Sequence, residues 1–460
     1  MQPKIIVLDD DPTGSQTVHG CLLLTRWDVA TLKQGLADAS PLMFVLTNTR
    51  GMGAAEAAQI TREACRNLKQ AMAGFDSPAL FVSRSDSTLR GHYPVETDVM
   101  AEELGPFDAH FLVPAFFEGG RFTLDSVHYL KVDGKAVPVH ETEFARDSVF
   151  GYRHSFLPDY VEEKTQGRIK ADAVVRFTLS DIRGGTLDRL MALQGNACCV
   201  VDAENQTDLN RFADDLEQAA SQGKRFLFRS AASLLTALAK LPPQPVPAED
   251  MRRYVKDGRP GVVVVGSHVK KTTEQLAVLL QQKGVVAVEV DVSRMPEQSP
   301  VLLQEVLAQV ARAHQSGLTP VIFTSRVERQ FPDQATRLAF GEHVSGFLMD
   351  VVHGLPATIG FIISKGGITS NAVLSHGLAL RTARVLGQIL PGCSVVRCPE
   401  NHPQYPNLPV VIFPGNVGDD SALATAFRRL AGPALRLNAN ACKAHQAEGH
   451  NAPYEPTSCG

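Results

Sequence analysis

The sequence predicts an α/β protein of two domains, each with a mostly parallel sheet flanked by helices and a ligand cleft between them. Three observations carry this expectation. Short apolar runs alternate with helix-length amphipathic segments through most of the 460 residues, the rhythm of helices laid on a parallel sheet. The proline cluster Leu241-Pro242-Pro243-Gln244-Pro245-Val246-Pro247 interrupts that rhythm and reads as an extended, semi-rigid spacer. The rhythm then restarts at Gly261. The expected organisation is an N-terminal domain over 1–240, a linker over 241–260, a C-terminal domain over 261–435 and a polar tail over 436–460.

In chain order, Lys4 to Leu8 is an apolar run with the character of a central parallel strand. Leu42 to Leu46 follows as a strand, Ala54 to Met72 as a helix, Ala79 to Val82 as a strand, Val95 to Leu104 as a helix and His110 to Val113 as a strand. Between about 119 and 170 glycines and polar residues break the pattern. This stretch reads as an excursion with a short hairpin near Tyr129 to Val139. The pattern resumes at Ala197 to Val201. In the second half Gly261 to Val265 is a strand. Val301 to His314 is a helix whose stripe of Leu302, Leu303, Val306, Leu307 and Val310 faces the core. From Asn438 onward the chain is polar and aperiodic, the mark of a frayed tail.

Composition excludes several classes. Hydrophobic residues make up 44% and charged residues 20%, as in ordinary globular domains. A net charge of −4 argues against binding driven by neutralising nucleic-acid phosphates. No apolar run approaches the ~20 residues of a membrane helix. The chain enters a strand at once, without a basic leader or cleavage site, so a cytoplasmic location is expected. The eight cysteines include no Cys-x-x-Cys pair, and neither disulfides nor structural zinc is expected. The oligomeric state is left open, a homodimer being one possible form.

Chemistry concentrates at two strand ends in the first half. Ser83-Arg84-Ser85-Asp86-Ser87-Thr88-Leu89-Arg90-Gly91-His92 gathers arginines, a carboxylate and hydroxyls directly after an apolar run. Guanidinium forks suit carboxylate or phosphate, and hydroxyls suit a polyol. Asp9-Asp10-Asp11-Pro12-Thr13-Gly14 follows the first strand. Three adjacent carboxylates repel one another unless a cation or an arginine sits among them. Both clusters fall where open α/β sheets bind ligands, beyond the carboxyl ends of strands. The plain alternatives are a solvated loop for the first cluster and helix capping for the second.

In the second half a strand runs three times into a small-residue turn and then a helix: at Gly266-Ser267, at Gly366-Gly367-Ile368-Thr369-Ser370 and at Gly415-Asn416-Val417-Gly418-Asp419. Glycine lets backbone N–H groups approach an anion closely. Gly367 is the position where a side chain is expected to push a phosphate away or to strain a positive φ. Neither a P-loop nor a Gly-x-Gly-x-x-Gly fingerprint occurs.

Asp9-x-Asp11-x-Thr13 also has the spacing of haloacid-dehalogenase-type phosphatases, with Asp9 as nucleophile and Asp11 as acid. That alternative leaves the Arg84–Arg90 cluster and the glycine turns without a task. A non-catalytic sugar-acid sensor is a second alternative and needs no second site.

Taken together, the chain resembles the four-carbon acid sugar kinase family from about residue 4 to 430. The resemblance rests on Asp10-Asp11-Pro12-Thr13-Gly14, Thr47-Asn48-Thr49-Arg50, Asp86-Ser87-Thr88-Leu89-Arg90-Gly91, Pro114-Ala115-Phe116 with Gly120-Arg121, Glu141-Thr142-Glu143-Phe144-Ala145 with Asp147, and the three glycine turns. It implies an ATP-dependent kinase acting with Mg²⁺ on the terminal hydroxyl of a threonate, erythronate or 3-oxo-tetronate. Arg50, Arg84 and Arg90 are then expected to meet the substrate carboxylate. Asp10, Asp11, Ser85, Asp86 and Ser87 would meet its hydroxyls, with Asp10 or Asp86 as the base. Ser267, Gly366, Gly367, Ile368, Thr369, Gly415, Asn416 and Gly418 would hold ATP, and the residues binding the metal are not assigned. Two positions depart from the family pattern. Ile368 stands where an acidic residue is common. Phe413-Pro414-Gly415 stands where Lys-Ser-Gly is common, which removes a positive charge near the expected phosphates.

Overall fold

The computed structural model describes residues 3–326 and 331–432. Its strands, in chain order, are β1 (Lys4–Asp9), β2 (Leu22–Leu24), β3 (Leu42–Leu46), β4 (Ala79–Arg84), β5 (Ala109–Val113), β6 (Arg121–Leu124), β7 (Val127–Val132), β8 (Lys135–Pro138), β9 (Val175–Phe177), β10 (Ala197–Val201), β11 (Phe226–Ser230), β12 (Val262–Val265), β13 (Val285–Val290), β14 (Thr319–Thr324), β15 (Ile362–Lys365), β16 (Thr382–Leu390), β17 (Cys393–Arg397) and β18 (Pro409–Phe413). The expected helices appear as Ala54–Ala71, Val95–Leu104 and Ser299–Gln315. In the first of these Ala57, Thr61, Ala64, Cys65, Leu68 and Ala71 form one buried stripe, as the helical period requires. The polar tail expected from residue 436 lies outside the described residues.

The sheets of the two halves join edge to edge. Fifteen strands form one sheet in the order β13-β14-β12-β15-β18-β17-β16-β2-β3-β1-β4-β11-β5-β10-β9. The block from β2 to β9 is parallel throughout, and so is the block from β13 to β18. Between them β17 and β16 are antiparallel, and β16 pairs antiparallel with β2, Thr382 facing Leu24. The register of β16 shifts between Val385 and Gly387 and again between Gln388 and Leu390. Such irregularities bend a strand at the joint between the blocks.

Strands buried on both faces are apolar throughout. β1, β3, β12 and β18 are buried at every position, which is why their sequences read as runs and not as alternations. The linker is docked, unlike the spacer its prolines suggested. Gln244 Oε1 accepts from Gln388 N at 2.9 Å, and Met251 is fully buried. Residues 119–170 leave the main sheet as β6–β7–β8, a small antiparallel sheet on its own. Among the described residues no helix is long and apolar enough to cross a membrane.

Candidate active site

β3, β1 and β4 are neighbours in the sheet, so their carboxyl ends place Arg50, Asp9–Asp11 and Arg84–Arg90 side by side. β4 runs two residues further than its apolar core, because the buried Ser83 and Arg84 find partners there. Arg84 Nη1 lies 3.6 Å from Asp9 Oδ1. Ser83 Oγ accepts from Arg229 Nη1 at 2.7 Å, donated from the adjacent β11.

The three aspartates have three different environments. Asp9 is fully buried, and its Oδ2 has no hydrogen-bond partner. Burial pushes its pKa up to about 8, with Asp10 and Asp11 adding to the rise and Arg84 and Arg50 opposing it. A carboxylate sealed in this way cannot attack a substrate, which removes the basis of the phosphatase alternative. Asp10 is also buried, 1% exposed, and both its oxygens are engaged: Oδ1 by Arg50 Nη2 at 2.5 Å, Oδ2 by Ser85 Oγ at 2.6 Å. Asp11 reaches the cleft. Burial disfavours its charge, but Arg50, 3.4 Å away, and Thr13, whose backbone N donates at 2.9 Å, together hold its pKa below the ordinary value.

Behind these groups runs a chain of buried partners. Glu96 pairs with Arg229 at 2.6 Å, Arg229 Nη2 donates to Ser85 Oγ at 2.8 Å, and Ser85 donates to Asp10. Gly91, with φ +118°, closes over this chain. A Cβ there would stand 2.4 Å from Ser85 Oγ and 2.7 Å from Arg229 Nη2, so only glycine fits.

The loop from Asp86 to Arg90 is fastened from outside. His128 Nε2 lies 2.8 Å from Ser87 O, Tyr152 Oη donates to Thr88 O at 2.7 Å, and Tyr160 Oη donates to Leu89 O at 2.9 Å. Three consecutive carbonyls are thus held by three buried side chains of the excursion, and Leu89 is kept at φ +67°, a conformation a leucine rarely adopts unaided. On the cleft side Asp86 accepts from Arg90 Nε at 2.8 Å and from Thr88 Oγ1. Burial works against the Asp86 charge, yet Arg50 and Arg90 hold its carboxyl far below the usual range.

In the second half β12, β15 and β18 are neighbours, and their carboxyl ends carry the three glycine turns. Thr272 Oγ1 lies 3.1 Å from Ser267 Oγ and 3.3 Å from Gly415 O, tying the first turn to the third. The positive φ belongs to Gly366, at +112°, where a Cβ would also stand 2.9 Å from Ser267 Cβ. Gly367 is not in the left-handed region, so the strain expected there falls one residue earlier. A Cβ on Gly367 would meet Asp11 Oδ2 at 3.4 Å. The turn of one half thus abuts the acidic cluster of the other.

A cleft of about 650 Å³ lies at this junction. It is lined by Asp11, Arg50, Arg84, Asp86, Ser87 and Arg90 from the first half, and by Gly367, Gly415, Asn416 and Gly418 from the second. Asp10 and Ser85 stand one layer behind this wall. Ser267, Gly366 and Thr369 form the base of the turns beside it, and Ile368 is 78% exposed. Sequence reasoning did not select Thr13, Gln16, Arg121, Phe144 or the Leu390–Gly392 turn, all of which line the cleft. Arg121 and Phe144 were visible only as parts of motifs in the excursion. The turn is the tip of the β16–β17 hairpin, which reaches the first half through the distant pairing of β16 with β2. Among the described residues no group of three or more His, Cys, Asp or Glu side chains is arranged to hold a metal ion.

Comparison with known proteins finds two family models along the chain. Residues 5–238 match the sugar-binding N-terminal domain, and residues 262–423 match the nucleotide-binding C-terminal domain. A D-erythronate kinase of Heliobacterium modesticaldum is 29% identical over 221 residues, 46% of this chain and 47% of the relative. A D-threonate kinase of Bordetella bronchiseptica is 30% identical over 164 residues, 34% of this chain and 38% of the relative. The chain thus spans about half the length of the first of these curated relatives, and less of the second. The fold is shared with a crystal structure from Salmonella typhimurium LT2, with TM-score 0.66 and 19% identity over 93% of this chain and 99% of that one. It is also shared with Haemophilus influenzae protein HI1011, with TM-score 0.60 and 18% identity over 92% and 100%. With both domains matched over most of its length, the chain belongs to the four-carbon acid sugar kinase family.

Proposed function

We propose that this protein is an ATP-dependent kinase that phosphorylates the terminal hydroxyl of a four-carbon sugar acid of the threonate, erythronate or 3-oxo-tetronate type. The observation that carries this reading is the junction of Asp11 with Gly367. There an acid- and arginine-lined wall meets a wall of glycine turns across one cleft. A sensor would need only the first wall. The relatives named as erythronate and threonate kinases support the substrate class.

Phosphoryl transfer asks a protein for positioning and charge neutralisation more than for covalent chemistry. The substrate hydroxyl oxygen forms a bond to the γ-phosphorus, the bond from that phosphorus to the bridging oxygen breaks, and ADP leaves. The hydroxyl proton passes to a carboxylate. Of the two candidates, Asp86 opens on the cleft, whereas Asp10 is buried with both oxygens engaged. Asp86 is therefore assigned as the acceptor, and Asp10 as the group that sets Arg50. Ser87 and Asp11, which line the cleft, would meet substrate hydroxyls. Gly366 N–H is taken by Phe413 O at 2.8 Å, so the N–H groups of the 367–369 and 415–418 segments, with Ser267 beneath them, would meet the nucleotide phosphates.

Magnesium is commonly held by one or two carboxylates together with substrate phosphates, and Asp11 at the junction fits that need. A bound Mg²⁺ would neutralise phosphate charge. The test is a panel of four-carbon acids with ATP, following ADP release and locating the phosphate on the product by NMR. Phosphorylation at the terminal hydroxyl of at least one acid is expected. ADP release no faster with any acid than without would overturn the reading.

A further inference from the structure

Four guanidinium groups line the cleft, and three of them have one of the protein's own carboxylates within 4 Å. Arg50 pairs with Asp10 and Asp11, and Arg90 with Asp86 at 2.8 Å and Asp147 at 3.7 Å; Arg84, 3% exposed, has Asp9 3.6 Å from its Nη1 and a buried Nε without a hydrogen-bond partner. Arg121 is the fourth. Among the described residues no carboxylate oxygen comes within 4 Å of its guanidinium. Its Nη1 donates to Gly119 O, while its Nε is buried without a hydrogen-bond partner. Burial pushes the Arg121 pKa down and outweighs the opposing charges of Asp86 and Glu143, Arg90 adding to the effect.

This side chain is held in place. Arg121 opens β6, exchanges backbone hydrogen bonds with Phe116 at 2.8 and 3.0 Å, and sets its guanidinium 6.0 Å from the Phe116 ring centroid. A fixed, desolvated, unmatched guanidinium facing a cleft is suited to an incoming carboxylate.

We propose that Arg121 binds the carboxylate of the sugar acid, while Arg50 and Arg90 serve chiefly to hold Asp10, Asp11 and Asp86. The inference rests on the sugar-acid kinase reading and sharpens it by giving the substrate a direction. Arg121, Asp86, Arg50 and Asp11 line one cleft, Arg50 reaches Asp11, and Asp11 faces Gly367. An acid anchored at Arg121 thus points its hydroxyl end along this row toward the nucleotide turns. The carboxylate becomes the group that sets substrate choice.

The experiment compares the wild type, Arg121→Gln and Arg121→Lys on the best four-carbon acid and on the matching polyol without its carboxylate. Arg121→Gln is expected to raise KM for the acid by about 100-fold, the scale of a lost charge-assisted contact, with kcat and the ATP KM within about threefold. Activity on the polyol should not fall, and Arg121→Lys should recover part of the loss. A merely structural role would depress acid and polyol alike and would lower the melting temperature. Unchanged KM for the acid, or equal loss on acid and polyol, would overturn the role of Arg121 while leaving the kinase reading intact. A wild type that phosphorylates no four-carbon acid would overturn that reading and this inference with it.

Discussion

Lys365 and Phe413 are register partners on the parallel strands β15 and β18, and the Lys365 ammonium lies 4.3 Å from the Phe413 ring centroid. From there Nζ donates to Pro414 O at 2.6 Å and Gly415 O at 3.0 Å. The lysine that the sequence lacks at position 413 is thus present one strand away, beneath the same glycine turn.

Lys365 is fully buried, and burial pushes its pKa from the ordinary 10.5 down to about 7. The unfolded chain takes up this proton as pH falls below 10.5, the folded chain only near 7. Folding therefore loses stability across that window, and the loss is complete below it. Nucleotide phosphates favour the charged form, so ADP affinity should strengthen as pH falls through 7. Lys365→Met should remove this component, weakening binding by roughly tenfold at about pH 6.5 and little at about pH 8.5. Calorimetric titration of ADP at both pH values checks it, the titration of ADP itself being common to both proteins. Parallel pH profiles would show that Lys365 acts only as a strut for the loop.

Gly366 and Gly367 should fail in different ways. Gly366→Ala forces a side chain onto a φ of +112° and against Ser267, at about 1–3 kcal/mol of strain, and the melting temperature should fall. Gly367→Val meets only ordinary contact with Asp11, so the fold should hold while the bulk blocks the nucleotide's approach. Calorimetry with ADP and with the sugar acid, alongside thermal melting, separates the two. Equal loss of both ligands in Gly367→Val would mean that the two walls of the cleft do not divide the labour.

Asp86→Asn and Asp10→Asn distinguish proton acceptor from scaffold. Asp86→Asn should lower kcat by about 10²–10⁴-fold with ADP affinity nearly unchanged. Asp10→Asn leaves Arg50 and Ser85 with a weaker partner. It should cost about 1–3 kcal/mol of stability and raise KM for the acid. A larger kcat loss in Asp10→Asn than in Asp86→Asn would reverse the assignment.

How much of this was legible in the sequence depends on range. β1 and β12 are read directly because strands buried on both faces are written as apolar runs. The Asp86–Arg90 loop is read because its chemistry is contiguous. What could not be read is carried by distant partners. Leu22–Leu24 is too short to signal a strand, yet it joins the two blocks through Thr382–Arg384. Arg229 and Glu96 support Asp10 from β11 and a helix far away in the chain. Lys365 is only a residue before a glycine pair until the register sets it beside Phe413. Arg121 sits where periodicity fails, and its lack of a carboxylate partner among the described residues is a three-dimensional fact.

The clamp on the Asp86–Arg90 loop supplies the last prediction. His128 is fully buried between Thr123 Oγ1 and Ser87 O, and burial pushes its pKa from 6.5 down to about 4. It is therefore neutral at physiological pH, with its Nε2–H donated to the Ser87 carbonyl and Nδ1 accepting from Thr123. As pH falls from 6.5 toward 4 the unfolded chain takes up this proton and the folded chain resists, so stability is lost across that window. His128→Leu should remove that component and flatten the decline. At neutral pH it should cost about 1–3 kcal/mol for the carbonyl left without its donor. It should also raise KM for the acid, because the loop that presents Asp86 and Ser87 loses one of its three fastenings, while ADP binding stays within about twofold. Tyr152→Phe and Tyr160→Phe each remove a single hydroxyl without opening a cavity and should show the same selective rise in smaller measure. Melting curves at about pH 7 and about pH 5, with KM for both ligands, check the set. A rise in both KM values together would place the effect in the shared sheet and not in the loop.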